Sequence, residues 1–459
     1  MLTLRIRSLA PSGIITWVLV WIFALHAASL YLFTRGFLLS RLALSQKATC
    51  SASGSCSLPP THSKAILIII DSLRFDFIAP NSFTHPDENH HSILTLPAEL
   101  TAQHPDRSFI FNAHSDPPTA TLQRIKGITT GSLPTFVDMG SNFGASEISE
   151  DSLIHQLTAA EKRVAFMGDD TWTGVYPSSF HPNMTWPYDS FNVEDLHSVD
   201  EGVIRHLFPL VRDGGWEFAI GHFLGVDHVG HRVGPSGEAM RAKLKQMDTV
   251  LRRLTEEIDD DTLLVVLGDH GMDLKGDHGG DGIYETSSAM WIYSKSVPLA
   301  TQPLPQDALP TLDTATNDPD AEPSDVAWKT FPGATSPSRA IQQIDIVPTI
   351  SLLLGLPIPF NNLGMVIPEV FLRQSSSHKS VLDEAMQLNV DQIQAYLAAY
   401  RASPSGGELD EAWSRLNRLH DLALKVTTSS LQQKRNFIRQ SLRACRELWA
   451  QFNVVLMVA

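Results

Sequence analysis

The sequence predicts an α/β domain with a central, mostly parallel sheet flanked by helices, and two patterns predict it. Three short runs, Ala65 to Ile70, Glu217 to Leu224 and Thr262 to Leu267, are largely apolar without polar alternation, as strands buried on both faces are. Each run is followed within a few residues by an aspartate: Asp71, Asp227 and Asp269. In open parallel sheets the carboxyl ends of the strands are where ligands bind. Between the second and third runs, Met240, Leu244, Met247, Leu251, Leu254 and Ile258 recur at steps of four and three, the period of a helix that packs one face on a sheet. Strand, ligand loop, helix, strand, ligand loop is an α/β order, with right-handed crossovers expected.

Ahead of this domain, Ile14 to Phe33 is a run of 20 residues without a Lys, Arg, Asp or Glu, long enough to cross a bilayer. It reads as an uncleaved signal-anchor, with residues 1–13 a cytosolic tail and residues 34–61 a stalk. The stalk holds Cys50 and Cys56, which either close a small disulfide loop in an oxidising compartment or stay as thiols. Asn183-Met184-Thr185 is a glycosylation sequon, and with the cysteine pair it favours a lumenal or extracellular body. The formal charge of −15 argues against a nucleic-acid partner, which needs a basic face.

The catalytic domain is expected over residues 62–372. Thr119 to Thr130 reads as a short helix that the prolines Pro117 and Pro118 prevent from starting earlier. Residues 298–337, rich in Pro, Thr, Asp and Ala, read as an exposed flexible insertion. Ala340 to Leu354 reads as a helix that Pro348 kinks or divides. Residues 373–459 read as a helical juxtamembrane segment, broken at Ser403 to Gly407.

The chemistry lies in the segments after the strands. Asp227, His231 and His278 can hold one metal, and Asp71, Asp269 and His270 a second. Three protein ligands and an open position make a catalytic zinc site, and a mixed Asp/His set suits zinc and accepts manganese. Two such ions about 4 Å apart bind both non-bridging phosphoryl oxygens and lower the pKa of a nucleophile. Thr119 is the expected nucleophile, a hydroxyl that needs metal coordination at neutral pH. Taken singly, each aspartate is an ordinary cap or turn residue; their recurrence after three strands is what carries the reading. His228 and Asp277 read as supporting or solvated neighbours, and His222 and His26 as ordinary residues.

At these residues the chain resembles the alkaline phosphatase superfamily in its phosphodiesterase-like branch. The shared pattern is an Asp after the first strand, a Pro-Thr nucleophile, Asp-x-x-x-His, Asp-His-Gly-Met and a final His. It is similar, more closely, to the GPI ethanolamine phosphate transferases. Asp71 to Phe77, Asp116 to Thr119 with Thr129 to Phe136, Gly168 to Trp172, Gly225 to His231, Gly276 to Asp281, and Gln343 to Thr349 with Gly355 to Pro357 carry that resemblance.

The resemblance implies a two-zinc site that moves phosphoethanolamine from phosphatidylethanolamine to a mannose of the GPI precursor, the third by its closest likeness. It implies a phosphorylated Thr119 intermediate, an endoplasmic-reticulum membrane location with the catalytic domain in the lumen, and a small stabilising membrane subunit. By analogy with diesterase relatives, Asn142 would hold a phosphoryl oxygen. The same site with water as acceptor would be a phosphodiesterase. The family also carries a multi-span carboxyl-terminal membrane domain, and the apolar tail Val454 to Ala459 is expected to be the start of its first span.

Overall fold

The computed structural model describes residues 11–37, 41–50, 56–135, 147–310, 326–375, 380–424 and 430–450. Nine strands form one sheet in the order β4-β3-β5-β1-β6-β7-β2-β9-β8. They are β1 Lys64–Ile70, β2 Ser108–His114, β3 Val164–Asp169, β4 Thr185–Tyr188, β5 Phe218–Phe223, β6 Thr262–Leu267, β7 Ser287–Ser294, β8 Trp328–Lys329 and β9 Ser338–Gln342. The three strands expected from their apolar runs lie side by side: β1 pairs in parallel with β5 on one edge and with β6 on the other. Antiparallel β7 joins this half to the parallel pair β2 and β9.

The reason β1 is apolar throughout is visible in its packing. Leu67 and Ile69 join one apolar cluster and Ile66, Ile68 and Ile70 the other, so both faces of the strand are covered by helices. Glu238–Glu257 is the expected amphipathic helix, and its Met240, Leu244, Met247, Leu251 and Leu254 are buried against the second cluster.

Four expectations need correction. Residues 340–354 are not one helix: β9 ends at Gln342, a 3-10 turn spans Gln343–Asp345, and the helix is Ile346–Leu353. Pro348 is its third residue, in a first turn whose N–H groups have no intrahelical partner, so it neither kinks nor divides the helix. The helix after Pro118 is Thr121–Thr130 with Ala120 as N-cap, which leaves Thr119 just before the helix.

Within the expected stalk, the described residues 41–50 and 56–61 do not stand free of the body either. Arg41 places both its guanidinium and its partner Glu150 in the interior, each side chain 2% exposed and 2.7 Å apart. Lys47 donates to the carbonyls of Ser149 and Glu150, and the Ala48 N–H donates to Asp151. A disulfide joins Cys50 and Cys56 across a Cα separation of 5.3 Å, within the ordinary range. Lastly, the helices Val381–Arg401, Asp410–Ala423 and Leu431–Trp449 belong to the first apolar cluster of the body. Arg439 forks onto Asp345 at 2.9 and 2.6 Å, and Arg446 binds Asp116 at 2.7 Å, so the expected boundary at residue 372 is not a domain boundary.

Residues 311–325, the middle of the expected insertion, lie outside the described residues. Its flanks are packed: Leu299, Ala308 and Phe331 are buried. The helix Pro11–Phe37 contains a 22-residue stretch, Gly13–Thr34, that is long and apolar enough to cross a membrane and is buried by none of the described residues.

Glu150 accepts from Arg41, Lys126 and Asn361. Removing one partner of a buried pair leaves the other charge uncompensated and costs about 3–5 kcal/mol. Glu150→Ala should therefore lower the denaturant midpoint of the body by a corresponding amount, and an unchanged midpoint would show that the Arg41–Glu150 pair contributes nothing to stability.

Candidate functional site

The parallel register of β1, β5 and β6 sets three carboxylates at one end of the sheet. Asp71 follows Ile70 directly, and its N–H donates to Phe223 O at the end of β5. Asp227 is not in a loop: it is the third residue of the helix Gly225–Val233 that starts after β5, with His231 one turn on in the last turn. A four-residue step stacks two side chains on one helix face, so Asp227 and His231 point the same way. Asp269 and His270 follow β6, and the chain returns with His278.

The first group is tight. His231 Nε2 and His278 Nε2 are 3.0 Å apart and face each other, and they lie 3.5 and 3.3 Å from Asp227 Oδ1. The second group is deeper. His270 Nε2 is 3.3 Å from Asp269 Oδ2 and 3.5 Å from Asp71 Oδ1, and Asp71, Asp269 and His270 are at most 2% exposed. The His270 and His278 rings stack at 4.0 Å, so the two groups adjoin.

Ser72 ties them together. Its hydroxyl donates to Asp227 Oδ1 at 2.6 Å, its N–H donates to Asp269 Oδ1 at 3.1 Å, and the hydroxyl is 3.2 Å from His270 Nδ1. It takes up this bridging position with φ of 58°, a backbone conformation rare outside glycine.

Asp71 Oδ1, Asp269 Oδ2, His270 Nε2 and His222 Nε2 are buried and have no hydrogen-bond partner among the described residues. Buried polar atoms are normally satisfied, and carboxylate oxygens turned toward one another without a donor between them call for a cation. The second donor set therefore fits a divalent metal of the zinc type, and the first fits one by the convergence of its ligand atoms alone.

The electrostatics agree. Burial, with Asp269 and Asp227 nearby, pushes the Asp71 carboxyl well above the usual range. Burial also pulls His270 down to about 4, which leaves its ring neutral and able to ligate. Burial opposes a charged His278, but the hydrogen bond to Asp227 and that residue's charge push it up to about 9. For Asp227, burial acts upward, yet the His278 hydrogen bond and the charges of His278 and His231 hold it well below the usual range.

Thr119 is fully buried. Its hydroxyl donates to Gly280 O at 2.8 Å and accepts from the Gly279 N–H at 2.9 Å, while its carbonyl accepts from His278 Nδ1 at 2.8 Å. It is thereby locked to the segment that carries the His278 ligand. A second hydroxyl, that of Thr121, lies 3.3 Å from Asp71 Oδ2.

His228 is buried and bonds Asp195 O at 2.7 Å, while the Asp277 side chain is 72% exposed; neither joins a ligand group. Asn142 lies outside the described residues. Asn183 is exposed in the turn Pro182–Met184.

The sequence reading gave no role to Ser72 or Thr121 and took His222 as an ordinary residue. The last is fully buried at the end of β5, with Nε2 3.4 Å from Asp71 Oδ2. A polar residue inside an otherwise apolar strand, as in Phe218 to Phe223, was the signal available.

Residues 118–281 match the family profile of type I phosphodiesterases / nucleotide pyrophosphatases. The chain is 38% identical to the human GPI ethanolamine phosphate transferase 3, catalytic subunit, over 96% of its own length and 41% of that protein's. It is 36% identical to the GPI ethanolamine phosphate transferase 3 of Schizosaccharomyces pombe over 93% of its length and 43% of that protein's. Among solved structures, the zinc complex of the C-terminal periplasmic domain of EcEptC from Escherichia coli is a looser likeness. Its TM-score is 0.45 at 13% identity, covering 70% of this chain and 92% of that one.

A metal at the first group must displace the proton that His278 carries below about pH 9. Affinity there should rise with pH across the neutral range, by about tenfold per unit for one proton released, and level off near that value. Chelator-competition titrations at several pH values read this directly; an affinity independent of pH would contradict the ligand role of His278.

The chain spans about two-fifths of the length of these relatives and, across nearly all of its own, is similar to the GPI ethanolamine phosphate transferases 3, with a nine-stranded, mostly parallel α/β sheet.

Proposed function

We propose that the chain is the catalytic portion of a phosphoethanolamine transferase of GPI-anchor assembly. The observation that carries this reading is the 38% identity to a named GPI ethanolamine phosphate transferase 3 across 96% of the chain, together with ligand groups set out as two-metal phosphoryl transfer requires. The donor is phosphatidylethanolamine and the acceptor a mannose hydroxyl of the GPI precursor, the third mannose.

Two zinc ions are the proposed cofactors, with manganese an alternative, one held by Asp227, His231 and His278 and the other by Asp71, Asp269 and His270. When bound, they supply charge neutralisation for the phosphoryl oxygens and acidify the attacking hydroxyl. The residues of the chain do the rest. Thr119 Oγ1 attacks the donor phosphorus, the bond to the diacylglycerol oxygen breaks, and diacylglycerol leaves with a proton. The Gly279 N–H that already points at Thr119 Oγ1 favours that oxygen as it loses its proton. The mannose hydroxyl then attacks the phosphorus of the phosphoethanolamine-threonine, which restores the Thr119 hydroxyl. Asn142 holds a phosphoryl oxygen.

The apolar helix anchors the body in the endoplasmic-reticulum membrane with its active site in the lumen, near a small stabilising membrane subunit. On that reading Asn183 carries a glycan, and the protein expressed in cells should lose a glycosidase-sensitive mass increment in Asn183→Gln. No difference between the two would count against the lumenal orientation.

The chemical step is tested by intact mass and peptide mapping after incubation with phosphatidylethanolamine in detergent. A phosphoethanolamine adduct on Thr119, absent in Thr119→Ala, is the expected result. An adduct on Thr121 would transfer the nucleophile's role to the hydroxyl that touches Asp71. Release of ethanolamine phosphate with no acceptor present would favour the phosphodiesterase reading.

A further inference from the structure

We infer that His222 is a positioning residue: its protonated Nε2 faces Asp71 Oδ2 at 3.4 Å, which leaves Asp71 Oδ1 for a cation. This rests on the two-metal reading proposed above. By proximity alone, Asp71, His222 and Asp269 form a group that could hold an ion. The proton count on the ring argues otherwise.

Trp172 Nε1 lies 3.0 Å from His222 Nδ1. An indole N–H is a donor only, so Nδ1 contributes its lone pair to that bond, and a neutral imidazole must then carry its proton on Nε2. Were Nε2 also a lone-pair donor to a metal, the ring would be an anion, in a site that already gathers three carboxylates. The indole has no freedom to turn away. Trp172 is fully buried, with the rings of Phe166, Tyr176 and Phe180 at 6.0, 6.3 and 6.4 Å. Asp169 Oδ2, 3.8 Å from Nδ1, is outside hydrogen-bond reach, and that carboxylate accepts from the Thr171 N–H.

The backbone holds the imidazole in place from the other side. Gly168 of β3 pairs with His222, and a Cβ on Gly168 would meet His222 O at 2.2 Å. Only a glycine lets the two strands approach so closely at the residue that faces Asp71.

The two oxygens of Asp71 are then unequal. Oδ2 faces the His222 Nε2 at 3.4 Å and accepts from Thr121 Oγ1 at 3.3 Å. Oδ1 has no hydrogen-bond partner. A hydroxyl donor and a facing N–H at one oxygen, with nothing at the other, are what a carboxylate needs to bind a metal through a single atom, and such outer contacts are typically worth about 10–100-fold in metal affinity.

The test compares His222→Gln with His222→Asn in the full chain, reading zinc affinity by chelator competition alongside thermal melting. Glutamine carries an amide N–H out to the place of Nε2. Asparagine keeps an acceptor for Trp172 but stops short of Asp71. The Gln variant should bind both ions as the wild type does, and the Asn variant should lose about 10–100-fold at one ion only. Equal loss in both variants would make the ring nitrogen a ligand, and no loss in the Asn variant would remove His222 from the site's support; either overturns the inference. A wild-type chain that takes up no zinc would instead overturn the metal reading itself, and this inference with it.

Discussion

The structure around the site depends on the repulsion among Asp71, Asp227 and Asp269. Parallel pairing of β1 with β5 and β6 brings the ends of three strands together, and burial denies the carboxylates there the water that would screen them. Burial of charge without compensation is costly. The protein offsets part of that cost with Ser72, which donates to both Asp227 and Asp269, and with His278, whose Nε2 faces Asp227 Oδ1 at 3.3 Å. Asp71 Oδ1 and Asp269 Oδ2 are left without a donor. The fold thus supplies anionic and imidazole groups but not the positive charge, and candidate metal-binding groups are what it leaves.

The rest of the chain braces this arrangement from behind. Arg446 of the last helix binds Asp116, three residues before Thr119, and Arg439 forks onto Asp345 at the base of the helix that follows β9. Gln343, in the turn just before, donates to the carbonyls of Gly268 and Asp269. A path of buried hydrogen bonds therefore runs from the carboxyl-terminal helices to both the nucleophile segment and a ligand strand. At the opposite end of the sequence, Arg41 enters the body beside Tyr396 and Ser132, only a few residues after the apolar helix ends at Phe37. Chain reach of ~3.5 Å per residue limits how far the body can stand from that helix.

Much of this was legible in the sequence because burial on both faces writes an unmistakable pattern. The runs at residues 65–70, 217–224 and 262–267 are strands because nothing polar interrupts them, and the aspartates after them sit where the strands end. Position Asp227 was legible but not its setting: a helix begins at Gly225, and the spacing to His231 is a helical turn rather than a loop. Residues 340–354 misled because a buried strand and a buried helix are equally apolar, and the partners β2 and β8 decide that Ser338–Gln342 is extended. The stalk and the carboxyl-terminal helices were read as separate because amphipathic or polar segments do not show what covers them; their attachment rests on Arg41, Arg439 and Arg446, whose partners lie about 100 to 300 residues away in sequence, a relation no local pattern encodes. His222 was taken as ordinary for the same reason, since its role is defined by Trp172 and Asp71 and by neither neighbour in the chain.

The central claim is that the carboxylates and imidazoles at the ends of β1, β5 and β6 hold two metal ions. Anomalous diffraction at the zinc edge from crystals of the purified protein tests it most directly. Two peaks about 4 Å apart are expected, one within reach of Asp227, His231 and His278 and the other of Asp71, Asp269 and His270. A single peak, or none in protein that retains its fold and is saturated with zinc, would contradict the account.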